Sequence, residues 1–568
     1  MTRKQVSIVL TMAIGIFLCM LDTTVMNIAL PAIQKGLDVS LDQLSWALNI
    51  YTILFACLTI PLGRMADIFG RSKLYVIGLV LFLLGSLFSG IAQSVAVLII
   101  GRGIQSIGAA IVFPASMTIG ISQVSLSKRT VVIGMLGVTQ GLASALGPTI
   151  GGAVTQYLGW RGIFLINVPF AIVAIIMCMK LLSFAPTKQE GVKIDFGGMV
   201  LSMITLFSLI LALTKGQSWG WQNGRIIILF IISAVTVVAF VLVEQRVAQP
   251  MMPLSLFKDK QFTGAVLTII LAQIALVALL VLMPSFFTNV MHKDELQAAL
   301  MITPTSVMIF VLSPISGTMI TKLGPRVVIL AGSLLMTAGY VVLSTLSIDV
   351  YWHVFLAAVL IGAGFGINIG PITVLAAGNF KGTMLTASQS AIGVFRQIGT
   401  SLAVAIFVSA LSANLVTAKH DMTQHARTEL TSLAVPASVK HTALTQVKDQ
   451  GKHKSESAAT AKKNQQKLVQ QQYALALTKA HAANAPQPVK DQILQQVTKQ
   501  VVARSKQITE TMAGFARNMK RYSHRALVKA FTQPYQWALP VVVLMGVMTL
   551  MFDSKRHYLD KQAAALKE

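Results

Sequence analysis

The stretch Gly63-Arg64-Met65-Ala66-Asp67-Ile68-Phe69-Gly70-Arg71-Ser72-Lys73 joins two long hydrophobic segments of this 568-residue chain. Its glycines and charged residues stand between almost purely apolar flanks, which predicts a short charged hinge on one face of a membrane. The pattern G-x-x-x-D-x-x-G-R returns in degraded form at Gly317 to Arg326, where Thr321 replaces the acid. Two such hinges predict an internally repeated helical membrane protein, an organisation typical of secondary transporters.

The composition agrees with a protein that crosses the membrane many times. Hydrophobic residues make up 54% of the chain and charged residues only 12%, so too few polar side chains are present to cover a soluble fold. The fold class is therefore predicted to be all-α, with two six-helix halves and two additional central helices. Fourteen stretches are long enough to span a bilayer as helices, at roughly 6–30, 44–62, 74–92, 95–118, 131–157, 163–182, 196–214, 226–244, 262–287, 297–320, 327–346, 354–377, 385–414 and 535–552.

The spans predict five segments along the chain. They are 1–182 for the first six-helix half, 183–261 for two inserted helices, 262–414 for the first five helices of the second half, 415–534 for a long basic loop, and 535–568 for the last span and tail.

Basic residues are distributed unevenly between the two membrane faces. With fourteen spans, 20 Lys and Arg residues fall on the side of the termini and 5 in the short loops opposite. Because cytoplasmic loops near the membrane carry an excess of Lys and Arg, both termini are predicted to be cytoplasmic and the protein to lie in the plasma membrane.

The long segment 415–534 differs in kind from the rest of the chain. Residues 411–535 contain 19 Lys and Arg against 6 Asp and Glu. The difference is a charge of +13, which is half of the net charge of +26. The segment is predicted to lie outside the cell, since long loops cross the membrane regardless of charge. From Pro488 onward, apolar residues such as Ile493, Val497 and Val501 recur at helical spacing and predict an amphipathic helix.

Three charged residues lie well inside predicted spans: Asp22, Arg102 and Arg396. A charge at a helix centre costs about 2.5–3.5 kcal/mol on insertion scales, so each is a functional candidate. With a rise of about 1.5 Å per residue, Asp22 and Arg102 lie at similar depth, roughly 12 and 10 Å below one face, and are predicted to meet. A buried carboxylate beside a guanidinium is suited to take up and release a proton. The alternative is a static ion pair that fixes helix packing.

Arg396 has two open interpretations. It lies between Gly393 and Gly399, glycines that permit close helix approach. Binding of an anionic substrate group and capping of backbone carbonyls both fit this position.

The hinge residues predict a gate on the cytoplasmic face. Asp67 is expected to accept hydrogen bonds from a helix N-terminus or to pair with Arg71. Arg64 adds a second positive charge, and Gly63 and Gly70 permit close approach and a tight turn. The alternative is a solvated loop that only fixes topology.

The fifth span is rich in small residues. It contains Gly147, Pro148, Gly151 and Gly152, and three further glycines precede them. Proline removes a backbone donor and kinks a helix, and glycines allow close packing. A kinked, glycine-lined interface between the two halves is predicted, with plain helix packing as the alternative.

These stretches together resemble the major facilitator superfamily, and specifically its 14-span drug:proton antiporter branch of the EmrB/QacA type. The resemblance is carried by 21–31 in the first span, 63–73 in the hinge, 101–108 in the fourth span and 147–152 in the fifth. It implies that the protein exports small amphipathic drugs or toxic compounds in exchange for protons, by alternating access. Asp22 and Arg102 would then couple proton movement to transport. The second half has no buried carboxylate in a predicted span, which by this resemblance implies neutral or monovalent cationic substrates.

Two further functions stay open at this stage. In the first, this protein exports a physiological lipid, fatty acid or metabolite with the same fold, and Arg396 would then bind an anion. Alternatively, the protein anchors the basic segment 415–534, whose few aromatic residues argue against nucleic acid and favour anionic lipid or cell-wall polymer. An enzyme is not expected, since the sequence has no nucleophile elbow or phosphate loop. Neither a cofactor nor a metal is expected, because Cys19, Cys57 and Cys178 have no metal-ligand spacing.

Overall fold

The architecture comes from a computed structural model that describes residues 1–184, 195–378, 380–448, 458–479 and 486–560. All regular structure in these ranges is helical, so the predicted all-α architecture is confirmed. The α-helices are α1 Arg3–Leu37, α2 Leu41–Phe69, α3 Arg71–Gly90, α4 Val95–Ser122, α5 Leu126–Leu158, α6 Gly162–Leu165, α7 Asn167–Leu181, α8 Phe196–Trp219, α9 Gly224–Glu244, α10 Lys260–Asn289, α11 Glu295–Leu323, α12 Pro325–Thr345, α13 Tyr351–Ala377, α14 Gly382–Ser432, α15 Ala437–Lys448, α16 Ala458–Lys479 and α17 Gln487–Met548.

Thirteen helical segments in the described ranges are long and apolar enough to cross a membrane, with α6 and α7 together forming one of them. The bent helix α5 is the fourteenth if its two parts, Val131–Ala143 and Leu146–Leu158, form one span. The 45° bend lies just before Pro148, whose ring clashes with the carbonyl four residues earlier and whose nitrogen donates no hydrogen bond.

The two predicted hinges are tighter than the sequence indicated. The expectation of a loop over 63–73 was wrong, because α2 continues to Phe69 and α3 begins at Arg71. Only Gly70 breaks the helix. Its φ of 98° is a backbone conformation that is strained for residues other than glycine. Gly324, with φ of 86°, has the same role between α11 and α12. Both hinges are single-residue breaks between long helices.

Helix packing repeats along the chain. In the first set, α1–α7, helix α4 packs against α1, α2 and α3. In the second set, α10–α13 with the spanning parts of α14 and α17, helix α13 packs in the same way against α10, α11 and α12. We call these sets the first and second half. Helix α5 of the first half packs along α11 and α13 of the second.

Helices α8 and α9 lie between the halves in sequence and pack on each other. Helix α8 also packs on α2 through a cluster that includes Ile53, Ala56, Ile210 and Leu211. The two helices are therefore attached to the first half by apolar side chains.

The chain divides into two compact units, Met1–Ala410 with Thr532–Glu568 and Leu411–Phe531. The second unit contains the end of α14, α15, α16 and the start of α17. It has an apolar core that includes Met422, Leu430, Phe515 and Met519, and the predicted amphipathic helix after 488 is confirmed as part of α17. The predicted span limits 414 and 535 lie inside helices that extend beyond them. Helix α14 continues past 414 to Ser432, and α17 begins at Gln487 and runs through Pro534 into the last span.

Candidate functional site

Helices α1 and α4 bring Asp22 and Arg102 together, as the sequence predicted. Arg102 Nη1 donates a hydrogen bond to Asp22 Oδ2, and both side chains are fully buried. Arg102 Nε donates to the carbonyl of Ala47 on α2 at 3.3 Å. The ion pair therefore links three helices of the first half.

Amide side chains complete the surroundings of the Asp22 carboxylate, and sequence reasoning missed them. Gln105 Nε2 donates to Asp22 Oδ1 at 2.9 Å, and Asn167 Nδ2 donates to the same oxygen at 3.4 Å. Gln105 Oε1 accepts from Arg102 Nη1 at 2.7 Å, and its Nε2 also donates to Ser86 Oγ at 2.8 Å. The spacing of Gln105 three residues after Arg102 places both on one helix face and was a usable signal.

Aromatic side chains close the site around the guanidinium. Arg102 Cζ lies 4.2 Å from the centroid of the Tyr51 ring, a cation–π distance. The Tyr51 hydroxyl donates to the carbonyl of Cys19 at 3.1 Å. A buried ion pair is tolerated when further hydrogen bonds satisfy its remaining atoms, and these contacts do so.

Two glycines of the fifth-span motif pack beside this site. A Cβ on Gly147 would overlap the side chain of Thr24, and one on Gly151 would lie 2.8 Å from the carbonyl oxygen of Val25. Both contacted residues follow Asp22 on α1. For Gly147 and Gly151 these contacts correspond to the predicted alternative of plain helix packing, here of α5 on α1.

Earlier glycines of α5 do face the second half. A Cβ on Gly141 would lie 2.9 Å from Ile309 of α11, and one on Gly137 would lie 3.3 Å from Thr373 of α13. Directly after Pro148, the hydroxyls of Thr149 on α5 and Thr303 on α11 are 2.8 Å apart. Helix α5 therefore contacts both α1 and the second half, and the bend between Ala143 and Leu146 separates the two groups of glycines.

The hinge carboxylate Asp67 is buried and joins the two halves. Arg71 Nε donates to Asp67 Oδ1 at 2.7 Å, which is one of the two predicted partners. Thr386 Oγ1, at the start of α14, donates to the same oxygen at 2.8 Å. One turn earlier, a Cβ on Gly63 would lie 2.5 Å from Ser390 Oγ. The predicted alternative of a solvated loop does not fit this burial.

The second hinge contacts α5 of the first half at its start, where a Cβ on Gly317 would lie 3.7 Å from the Cα of Gly134. Its other described contacts are within its own half. Arg326 Nε donates to the carbonyl of Phe552 at 2.9 Å, and the backbone of Lys555 packs against Gly324. The two hinges are thus unequal: the first binds the opposite half through Asp67, and the second binds the segment after α17.

Sequence reasoning missed two further buried charges because both lie near span ends. Lys215 directly follows the predicted span 196–214 and was counted among the five basic residues of the short loops. It belongs to α8, where its Nζ donates to Ser45 Oγ at 2.6 Å and lies 4.7 Å from the Trp46 ring centroid. Glu244, at the end of α9, accepts from the backbone amides of Met251 and Met252 at 3.1 and 3.2 Å. Both attach the inserted helices to their neighbours.

Arg396 is also buried, on α14. Its Nη1 lies 3.8 Å from the sulfur of Met20 on α1, and its Nε and Nη2 have no hydrogen-bond partner among the described residues. For metal ions, the described residues contain no group of three or more His, Cys, Asp or Glu side chains with suitable geometry.

Sequence comparison identifies related proteins over most of this helical region. A sequence model of the Major Facilitator Superfamily matches residues 12–404. The multidrug resistance protein Stp of Mycobacterium tuberculosis is 30% identical over 415 residues, covering 73% of this chain and 77% of that protein. The multidrug transporter protein MdtP of Bacillus subtilis is 30% identical over 424 residues, with the same coverages. The puromycin resistance protein pur8 of Streptomyces alboniger is 30% identical over 395 residues, covering 68% and 78%.

Two solved structures share the helical arrangement. The human organic anion transporter MFSD10 superposes with a TM-score of 0.51 at 14% identity, covering 72% of this chain and 95% of that chain. The proton:xylose symporter XylE superposes with a TM-score of 0.51 at 15% identity, covering 71% and 87%. At these identities the likeness concerns the fold alone.

Proposed function

The chain belongs to the Major Facilitator Superfamily and is a multi-pass membrane transporter rather than an enzyme, and from this premise we propose that it exports amphipathic drugs or toxic compounds in exchange for protons. The observation that carries the proposal is the buried pair of Asp22 and Arg102 in such a chain. Relatives named for multidrug and puromycin resistance support export of small toxic compounds. The ordered motifs and the inserted pair α8 and α9 support placement in the 14-span antiporter branch.

Asp22 is the proposed proton site. Its carboxylate is neutralised by Arg102 and held by the amides of Gln105 and Asn167. When Asp22 is protonated, Arg102 loses its charged partner and keeps its contacts with Ala47, Gln105 and the Tyr51 ring. Because α5 packs on α1 through Gly147 and Gly151, a shift of α1 is transmitted to the helix that also contacts the second half. This couples protonation to alternating access.

The first hinge is the proposed cytoplasmic gate. Asp67 bonds to Thr386 of the second half, and Arg129 Nη1 at the start of α5 donates to the carbonyl of Phe380 at 3.1 Å. Both contacts break when the halves separate on this face. Gly63 and Gly70 allow the close approach, and Arg64 and Arg71 supply positive charge beside the carboxylate.

The proposed location is the plasma membrane, with both termini in the cytoplasm and 415–534 outside. The uneven distribution of basic residues supports this orientation. The exposed residues Arg517, Arg521, Arg525 and Lys529 recur every four positions on α17 and form one basic stripe. Such a stripe suits contact with anionic lipid headgroups or an anionic cell-wall polymer.

Transport by the purified protein tests the proposal. Candidate substrates are first found by screening a compound panel for protection of a pump-deficient host. In liposomes with an imposed pH gradient, the wild type should concentrate each hit and move protons in exchange. Asp22→Asn should exchange substrate down its gradient without a response to pH. Full pH-driven transport by that variant contradicts the proton assignment, and no transport of any compound contradicts the export assignment.

A second candidate function is export of a physiological lipid, fatty acid or metabolite. Arg396 favours it, since this buried cation lies between the halves and has no carboxylate partner among the described residues. Cationic dyes and anionic lipophiles, compared as substrates, separate the two functions.

A further inference from the structure

The guanidinium of Arg396 lies at the boundary between the two halves. Its side chain is only 3% exposed and projects from α14 of the second half. Its neighbours belong to the first half: Met20 on α1, and Phe113 on α4, whose ring centroid is 6.0 Å from Arg396 Cζ. The position is therefore where a transporter with two rocking halves binds its substrate.

Two of the three guanidinium nitrogens are buried and unbonded. Nε and Nη2 have no hydrogen-bond partner in the described part of the chain, and Nη1 has only the weak sulfur acceptor of Met20. A buried ionic donor without a partner loses the free energy of its hydration, about 1–3 kcal/mol or more. Capping of backbone carbonyls, the structural alternative for Arg396, is absent from its described contacts.

No protein carboxylate in the described ranges neutralises this cation. The buried acidic side chains there are Asp22, Asp67 and Glu244. Each is bonded elsewhere, to Arg102, to Arg71 and Thr386, and to backbone amides respectively. No buried acid lies in α10–α14 within these ranges. The boundary between the halves thus carries an unbalanced positive charge.

We propose that Arg396 binds the anionic headgroup of the transported compound, a carboxylate, sulfonate or phosphate group on an apolar body. The inference rests on the proposed export function and specifies its substrate class. A guanidinium binds such groups through two parallel hydrogen bonds, and Nε and Nη2 have the geometry for it. Gln397 Nε2 and Ser401 Oγ, further along α14, are also buried and have no hydrogen-bond partner in the described ranges.

Aromatic residues next to the cation suit the apolar body. The ring of Phe113 packs edge-on against Phe55, with centroids 5.8 Å apart. A Cβ on Gly393, one turn before Arg396, would lie 2.8 Å from the Phe113 ring, so this ring lies directly against α14. An aromatic or alkyl chain attached to the anion would contact these rings. The substrate inferred is an amphipathic anion, in contrast to the neutral or cationic class implied by the missing second carboxylate.

Two fluorescent probes that differ by one sulfonate group test the inference. They are 1-anilinonaphthalene-8-sulfonate and the uncharged N-phenyl-1-naphthylamine, measured for binding and for transport by the full chain in liposomes. We expect Arg396→Gln to weaken sulfonate binding at least tenfold relative to wild type and to change binding of the neutral probe by less than threefold. Arg396→Lys should give an intermediate affinity, because a lysine keeps the charge and loses the paired hydrogen bonds. Lys215→Gln, which removes a buried cation elsewhere, is the control and should bind both probes as the wild type does.

The outcomes distinguish failure of the anion site from failure of the export function. If the wild type transports the neutral probe and not the sulfonate, export stands and the anion site is wrong. Equal loss of both probes in Arg396→Gln also overturns it, since that result marks a structural role. If Arg396→Gln does not fold, as judged by its melting transition, the comparison of Arg396→Lys with wild type decides: an unchanged ratio of the two affinities overturns the inference. Failure to transport either probe or any compound in the panel contradicts the export function itself.

Discussion

Thr386 donates a 2.8 Å hydrogen bond to Asp67, and this bond joins α14 to α2 across 319 residues of sequence. The same carboxylate oxygen accepts from Arg71, one helical turn further along the chain. Asp67 therefore connects the break at Gly70 to the opposite half. A charged acceptor strengthens both bonds, so this junction is the contact that would keep the proposed gate closed.

Replacing Thr386 with valine should open the hinge face more often. Valine keeps the shape and removes the donor, so the closed state loses about 1.5–3 kcal/mol from a hydrogen bond to a charged group. A cysteine placed at Ser390, which packs against Gly63, reports the opening through its rate of labelling with a polar maleimide. We expect labelling to be at least several-fold faster in Thr386→Val, and unchanged in Thr386→Ser, which keeps the hydroxyl. Equal rates in all three backgrounds would show that this bond does not hold the gate.

Enlarging Gly151 should disturb both stability and transport. A leucine there would collide with the backbone of Val25 on α1, and such overpacking costs about 1–3 kcal/mol. Gly546→Leu on α17 is the matched control, since nothing lies within 4 Å of a Cβ at that position. The melting temperature of Gly151→Leu should fall clearly below that of Gly546→Leu, and transport should fall with it. Similar melting temperatures would contradict the tight contact between α5 and α1.

The fold was largely predictable from the sequence because its signals are local. Apolar runs of span length need only composition, and all predicted spans coincide with helices or with the two parts of α5. The meeting of Asp22 and Arg102 followed from helix rise alone. The extension of α14 to Ser432 did not follow, because a change from apolar to polar composition marks the end of a span and not the end of a helix.

The contacts between distant segments were not predictable in the same way. Asn167 reaches Asp22 only through the packing of α7 on α1, and no pattern in one sequence states which helices are neighbours. The partner of Asp67 on α14 was missed for the same reason. Lys215 was misplaced because a charged residue near a span end fits both a loop and a helix, and burial decides between them.

Removing most of the second unit should leave transport intact. Asn414 Nδ2 donates to the carbonyl of Ala530 at 3.1 Å, so the two chain segments that enter this unit are adjacent and a short linker can replace 420–525. Its apolar core is formed within the unit, which makes loss of its residues independent of the spans. We expect pH-driven transport within about twofold of wild type, since connecting segments tolerate such changes. Binding to liposomes that contain anionic lipid should weaken if the basic stripe of α17 contacts headgroups. Abolished transport by a correctly folded deletion variant would assign the unit to the transport cycle.

Neutralising both members of the buried ion pair separates its structural role from its role in coupling. Asp22→Asn alone leaves Arg102 charged among Ala47, Gln105 and Tyr51, and breaking a buried pair on one side costs about 3–5 kcal/mol. The double variant Asp22→Asn/Arg102→Gln removes both charges and keeps polar groups of similar size. Its melting temperature should therefore recover most of the loss seen in Asp22→Asn. Its transport should nevertheless not respond to an imposed pH gradient, because no group at this site can take up a proton. Recovery of both stability and pH response would mean that Asp22 only packs the helices and that the proton binds elsewhere. Recovery of stability alone is the result expected if the carboxylate carries the proton.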